Sequence, residues 1–279
     1  QRSLPKAEVQ SVFALYSNGQ TQEALDAIEA LTKDYPNEPL LYNISGACYK
    51  EIGQLDDAAK SFEKAVTLKP DYVEAQYNLG VVFRELGQVD AAIKSYENAI
   101  AIKHAYPNVH NNLGNIFLEL NQLKPAVDHF EWAVAYSPEF DTAHNNLGST
   151  LLALGQVDAA VESYEKALAI NPDYAEAHNN LGNAFKGLGQ LDTAVKSFEK
   201  ALAVNPDYSN AHNNLGIIFK ELGQLDAAVE SYKKALAVNS DYVEAHNNLG
   251  NAFKELGQLD VAVESYKKAL ALRPDYAYA

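Results

Sequence analysis

In the stretch Ala175–Tyr208 the apolar and small residues recur on a helical period. His178, Leu181, Gly182 and Phe185 stand at i, i+3, i+4 and i+7, and Leu191, Ala194, Phe198 and Ala201 form a second stripe. Gly189 and Gln190 separate the two stripes, and Pro206 stops the second. The pattern predicts two helices joined by a short link, which must therefore pack antiparallel. On a wheel of about 100° per residue, Asn179, Asn180, Asn183 and Lys186 fall on the side of the first helix away from its apolar stripe.

The same order of residues returns every 34 positions. Copies span 5–38, 39–72, 73–106, 107–140, 141–174, 175–208, 209–242 and 243–276 without insertion or deletion, and 277–279 would open a ninth. A fixed period of this length predicts one array of stacked two-helix units with no single central core. Asp173 followed by Glu176, a spacing repeated at Asp71–Glu74 and Asp241–Glu244, reads as an N-terminal capping box. Gly189 is expected to close the first helix in left-handed geometry, and Asp192 to sit in the first turn of the second, where the helix dipole favours an anion. Gly182 and Ala194 are small where the two helices must approach closely.

Counted from Ala175 as position 1, Leu181-Gly182, Phe185, Ala194, Phe198 and Pro206 reproduce the Leu-Gly, aromatic, Ala, aromatic and Pro order of the tetratricopeptide repeat. His178 departs, standing where that family usually has Trp or Tyr. The chain thus resembles a tetratricopeptide-repeat array over all eight copies. The resemblance implies an all-α, right-handed superhelical solenoid of antiparallel helix pairs whose first helices line a concave groove. It also implies a non-catalytic protein-interaction scaffold.

The end copies and the fourth depart from the pattern. Copy 5–38 keeps Gly19, Ala24 and Pro36 but has Ser11 and Val12 in place of Leu-Gly, as a terminal cap would. Copy 107–140 has Asn121 in place of Gly, Pro125 in a first turn, and His129, Trp132 and Tyr136 further along. Trp132 should point outward on the convex side, as a partner anchor or an isolated surface aromatic. The last copy is of internal type with no polar capping helix after it, so an apolar end face is expected. That face would be covered by a continuation of the parent protein or by self-association.

Composition narrows the partners. The net charge of −15, from 22 basic and 37 acidic residues, argues against non-specific nucleic-acid binding and against docking to anionic lipid. It favours a neutral or basic protein or peptide. No apolar run approaches the roughly 20 residues needed to cross a bilayer. The one cysteine, Cys48, excludes an intrachain disulfide and reads as a small core residue. A cytoplasmic location is expected.

The candidate chemistry is a ladder of asparagines. Position 5 supplies Asn111, Asn145, Asn179, Asn213 and Asn247; position 6 supplies Asn78, Asn112, Asn146, Asn180, Asn214 and Asn248; position 9 adds Asn115, Asn183 and Asn251. Asn is a poor helix former, so its recurrence in mid-helix asks for a compensating role. An amide offers two donors and an acceptor, suited to pairing with the backbone of an extended peptide. At about 0.5–1.5 kcal/mol per hydrogen bond, five or six such pairs could sustain micromolar or weaker binding. The alternative is that these amides bond the neighbouring repeat and fix the stacking. For position 5 the two readings weigh equally, and for position 6 the groove is preferred.

The ladder resembles the asparagine-lined repeat region of the nucleocytoplasmic O-linked N-acetylglucosamine transferases, where such residues hold the substrate backbone. The chaperone carboxylate clamp of some relatives is not matched, because its lysines are missing. Position 12 changes along the array, from Arg84 through Leu118 and Leu152 to Lys186, Lys220 and Lys254. Leu118, Leu152 and Ala153 therefore suggest an apolar patch midway along the groove.

The series His110, His144, His178, His212 and His246 lies on the apolar stripe and reads as packed core histidines. Zinc–nitrogen bonds of about 2.0–2.1 Å would require the ligands to converge. No triad, phosphate loop or metal motif is present, so no catalytic residue, cofactor or metal is predicted. Two other functions remain open: the recognition or oligomerisation arm of a larger enzyme, since bacterial arrays of this type are often fused to transferase or oxygenase domains, and a self-assembling structural array.

Overall fold

The computed structural model describes residues 4–276. Among them every regular element is a helix. The first pairs are α1 (Lys6–Ser17) with α2 (Thr21–Asp34), α3 (Pro39–Glu51) with α4 (Leu55–Leu68), α5 (Val73–Glu85) with α6 (Val89–Ile102), and α7 (Pro107–Glu119) with α8 (Leu123–Tyr136). The pattern continues as α9 (Asp141–Ala153) with α10 (Val157–Ile170), α11 (Ala175–Gly187) with α12 (Leu191–Val204), α13 (Ser209–Glu221) with α14 (Leu225–Val238), and α15 (Val243–Glu255) with α16 (Leu259–Leu272). Each copy thus forms one helix pair. The start of a ninth copy lies outside the described residues.

The chain divides into two compact units, Gln1–Ser137 and Pro138–Ala279. Within each unit the second helix of a pair packs on the first helix of the next, as α4 does on α5 and α12 on α13. First helices also approach one another, α3 with α5 and α9, α11, α13 and α15 in succession, whereas second helices do not come as close. The first helices therefore form the crowded wall of each unit.

No single core exists; instead small clusters repeat. Ala194 and Phe198 of one copy pack on Leu215 and Ile218 of the next, and Ala92, Tyr96 and Ala99 pack on Val109, Leu113 and Ile116. The close approach of the paired helices requires glycine. A Cβ on Gly182 would lie 2.7 Å from the Phe198 ring, and one on Gly114 2.6 Å from Phe130. Gly189 adopts φ +71, and Asn121 fills the same left-handed corner at φ +57. Cys48 is fully buried, and burial together with Glu51 pushes its thiol up to about 11.

The histidine series explains its departure from the family pattern. His178 Nε2 donates to the carbonyl of Pro172 at 2.9 Å, six residues earlier, and His110, His144, His212 and His246 make the same bond to His104, Pro138, Pro206 and Ser240. Each imidazole thus ties its helix to the preceding loop, and all but His212 are buried.

Two expectations are corrected. The Asp-x-x-Glu capping boxes do not form: the residue before α11 is Tyr174, and no side chain caps that helix, nor α5 or α15. Asp173 lies one residue too early, and its N–H instead bonds Asn171 Oδ1 at 3.2 Å in a local turn. Asn179 is not on an open side either; it is 5% exposed. A first helix is covered by its own partner and by the first helix of the neighbouring copy, so a wheel drawn for one buried stripe underestimates its burial.

Candidate functional site

The wall of first helices carries the ladder, and its two rungs differ. The position-5 amides Asn111, Asn145, Asn179, Asn213 and Asn247 are all buried, whereas position 6 is half-buried. The two positions meet between copies. Asn180 Nδ2 donates to Asn145 Oδ1, Asn214 to Asn179 and Asn248 to Asn213, each at 3.1 Å, and Asn78 donates to Asn43 at 3.3 Å.

Chemistry fixes the orientation of the Asn145–Asn180 pair. Asn145 Nδ2 donates to Glu176 Oε1 at 3.3 Å and lies 3.4 Å from the Tyr174 hydroxyl. A carboxylate only accepts, so the Asn145 amide nitrogen must face it, which turns Oδ1 toward Asn180. The nitrogens of Asn180, Asn214 and Asn248 thus bond the preceding repeat, while their carbonyl oxygens accept no bond from the described protein. The last three repeats thus present one amide acceptor each.

Where position 5 is not Asn, the partner changes. Tyr77 stands there in the third copy, and Asn112 donates instead to the Tyr96 hydroxyl at 3.2 Å. At position 9, Asn251 Oδ1 accepts from the Tyr266 hydroxyl at 2.7 Å, and Asn183 is half-buried. Asn115 lies on a first helix of the first unit, α7, and Asn146 on a first helix of the second, α9.

Position 12 forms an ionic rail with position 13 of the next copy, which periodicity alone did not reveal. Lys50 pairs with Glu85 at 3.2 Å, Lys220 with Glu255 at 3.0 Å, and Arg84 with Glu119. Leu118 in the first unit and Leu152 in the second are half-buried, and so is Lys186. Position 13 of the copy after Leu152 is Gly187 rather than Glu, so both members of the rail are missing there.

Trp132 is 46% exposed, but it is not isolated. It stacks on Tyr136 at 5.5 Å and meets His104 edge-on at 5.1 Å. Beneath them His129 stacks on Phe117 at 5.4 Å and its Nδ1 lies 3.1 Å from His110 Nδ1. Burial holds the His129 imidazole down at about 4, helped by the neighbouring His110 and opposed by Asp128. Burial lowers His110 as well. Four of these residues depart from the repeat pattern; His129, Trp132 and Tyr136 stand out in the sequence, and His104, which takes the place of the Pro of other copies, is the one that comparing position 32 adds. No group of three or more His, Cys, Asp or Glu among the described residues is arranged to hold a metal.

At the other end, α16 exposes Leu259, Val261, Val263, Leu270 and Leu272. No described helix is long and apolar enough to cross a membrane.

These features define a class: stacked helical hairpins that present a polar, amide-lined wall built from their first helices. A repeat profile described as "TPR repeat" matches residues 46–84, 82–120, 148–189, 182–223 and 218–257, and profiles described as "Tetratricopeptide repeat" match 7–38 and 243–276. The chain belongs to the tetratricopeptide repeat family.

Among curated proteins it is similar to the peroxisomal targeting signal receptors of Candida glabrata, 33% identical over 66 residues, and of Saccharomyces cerevisiae, 30% over 76 residues. Those matches cover 24% and 26% of this chain but only 11% and 12% of the receptors. Among solved structures, MamA shares 25% identity at a TM-score of 0.53, over 62% of this chain and 96% of that one. A chain of the APC/C hetero-tetramer Cut9–Hcn1 superposes with a TM-score of 0.65 at 19% identity, over 86% and 48%. YrrB, described as a TPR protein with an unusual peptide-binding site, gives 0.60 at 21% identity, over 67% and 96%. At 19% and 21% identity, the last two show the shared fold.

Proposed function

We propose that this chain is a non-catalytic protein-interaction scaffold that holds an extended peptide along the wall of its first helices. The observation that carries the reading is the row of oriented amide oxygens on Asn180, Asn214 and Asn248, each fixed by the repeat before it. An extended peptide supplies backbone N–H donors at regular spacing whatever its side chains, which is the complement of such a row. The net charge of −15 favours a neutral or basic segment. The peptide-binding site in the description of YrrB and the receptor role of the peroxisomal proteins support a partner of the same kind.

The test is binding to an array of unstructured peptides, comparing the wild-type chain with an Asn180→Ala/Asn214→Ala/Asn248→Ala variant of unchanged helical circular dichroism. Loss of about tenfold or more in affinity across unrelated sequences is expected. Equal binding by both proteins would remove the ladder from the function.

A second reading is favoured by the apolar residues exposed on α16: self-association through that face. Light scattering would then show a mass that rises with concentration and falls with Leu259→Glu/Val263→Glu. A constant mass excludes it.

A further inference from the structure

Second helices do not approach one another as first helices do, and the gap between consecutive ones is a groove that appears in two forms. In the fourth repeat the chain fills it with its own rings. His129, at position 23, stacks on Phe117 at 5.4 Å with 9° between the planes and brings its Nδ1 to 3.1 Å from His110 Nδ1. Trp132, at position 26, lies 6.4 Å from His110, and His104, at position 32 of the copy before, meets the indole edge-on. The Nε2 of His110 is spent on the His104 carbonyl. In the neutral ring Nδ1 is therefore the acceptor, and His129 supplies the donor.

In the last two repeats the same positions are small or flexible. Ser265 stands in the place of His129, Lys268 in that of Trp132 and Ser240 in that of His104. A cavity of about 510 Å³ opens there between α14 and α16, lined by these three residues, by His246 and Phe253 of α15, and by Val261. That volume lies within the roughly 300–1,000 Å³ of ligand sites. Its floor repeats that of the fourth repeat, with Phe253 for Phe117 and His246 for His110. His246 Nε2 donates to the Ser240 carbonyl at 2.8 Å, which leaves Nδ1 as the acceptor, and no donor among the described residues is bonded to it. Ser265 does not serve it, because its hydroxyl donates to the Val261 carbonyl at 3.0 Å. Over the Phe253 ring stands only the flexible Lys233, with Nζ 5.8 Å from the centroid. The sixth repeat has the same want in a tighter form: His178 Nδ1 is buried without a partner, beside Ser197 and a cavity of about 380 Å³. Where serine replaces His129, an imidazole acceptor is left without the group that completes it.

We propose that the groove between α14 and α16 is a docking site for one heteroaromatic side chain with a ring N–H, tryptophan or histidine, presented by a partner protein. The ring takes the place that His129 takes in the fourth repeat. It stacks on Phe253, donates its N–H to His246 Nδ1 and offers its outer face to Lys233 and Lys268. Two lysines against the single carboxylate of Glu264 at this rim favour a ring that stands next to an acidic residue. The site is built on second helices and goes beyond the peptide-holding reading of the first-helix wall, on which it does not depend.

The probes are N-acetyl-tryptophan methylamide and N-acetyl-histidine methylamide, titrated into isotopically labelled full chain by NMR. The controls are the 1-methyltryptophan analogue, which keeps the ring and loses the donor, and the leucine analogue. Saturable shifts of the His246 imidazole and the Phe253 ring are expected in the millimolar range. Binding should be about fivefold weaker with 1-methyltryptophan, the worth of one hydrogen bond, and absent with leucine. Ser265→His/Lys268→Trp installs the filling of the fourth repeat and should abolish the shifts while the helical circular dichroism stays that of the wild type. The reverse exchange, His129→Ser/Trp132→Lys, should open the groove of the fourth repeat and add His110 and Phe117 to the responding residues. Equal affinity for tryptophan and 1-methyltryptophan, unaltered binding by the filled variant, or no saturable shift with either ring would overturn the site. If the filled variant does not fold, the 1-methyl comparison and the opened variant decide the matter.

Discussion

The fourth and sixth repeats make the same hairpin from different material. In α11 and α12 the turn is Gly189, the buried ring is Phe198 against Gly182, and position 23 is Ser197, whose hydroxyl bonds back to Thr193 at 3.1 Å. In α7 and α8 the turn is Asn121, the ring is Phe130 against Gly114, and position 23 is His129, paired with His110 and stacked on Phe117. The glycine–aromatic plug and the left-handed corner are common to both. The plug is therefore what the hairpin depends on, and the serine position is free to carry something else.

The largest effect should come from the shared plug. Phe198→Ala and Phe130→Ala, both at fully buried rings, should each cost about 3–5 kcal/mol in chemical denaturation. Gly182→Val should cost about 1–3 kcal/mol by overpacking against Phe198. If Phe130→Ala costs much less than Phe198→Ala, the fourth repeat is held by its histidine cluster rather than by the plug.

Next in size is a pH dependence that the fourth repeat carries through His129. The unfolded chain takes up a proton on His129 near pH 6.5, whereas the folded chain does so only near 4. The unfolded state thus binds the proton first. Stability is flat above about 6.5, falls as pH drops through that window, and has lost about 3 kcal/mol below pH 4. His110, lowered in the same way, adds to the slope. Denaturation midpoints at pH 7 and pH 5 measure it, with the fluorescence of the single tryptophan, Trp132, as a local probe. His129→Ser, the residue of the other copies, should flatten most of the slope. An unchanged slope would place the titration elsewhere.

This comparison also marks what sequence reading could reach. Helix pairs, their boundaries near Gly189 and Pro206, the plug at Gly182 and the left-handed Asn121 were all legible, because each is a local requirement repeated in phase. The capping boxes were misplaced because an Asp-x-x-Glu spacing does not say whether Asp or the following Tyr begins the helix. The burial of Asn145 and Asn179 was missed because it comes from the neighbouring copy.

A smaller effect lies at the turn. Asn121→Gly should stabilise the fourth repeat by up to about 1 kcal/mol, since glycine adopts positive φ without the penalty of a side chain. Gly189→Asn should cost the sixth repeat a similar or smaller amount. Midpoints that shift in the same direction for both would mean that Asn121 contributes more than backbone geometry.

The smallest effect is the ionic rail, and its size decides what the rail is for. Lys220 and Glu255 are part-exposed partners 3.0 Å apart on neighbouring repeats. Such a pair contributes about 0.2–1 kcal/mol and weakens as salt screens it. Lys220→Met should therefore lower stability by well under 1 kcal/mol at low salt and by less at high salt. The same substitution leaves Glu255 unneutralised beside Glu221, so affinity for a basic segment on the wall should rise rather than fall. A rail built for stability would lose both measurements together. A rail that sets the charge of the wall would lose little stability and gain cation binding, and opposite signs from one variant tell the two apart.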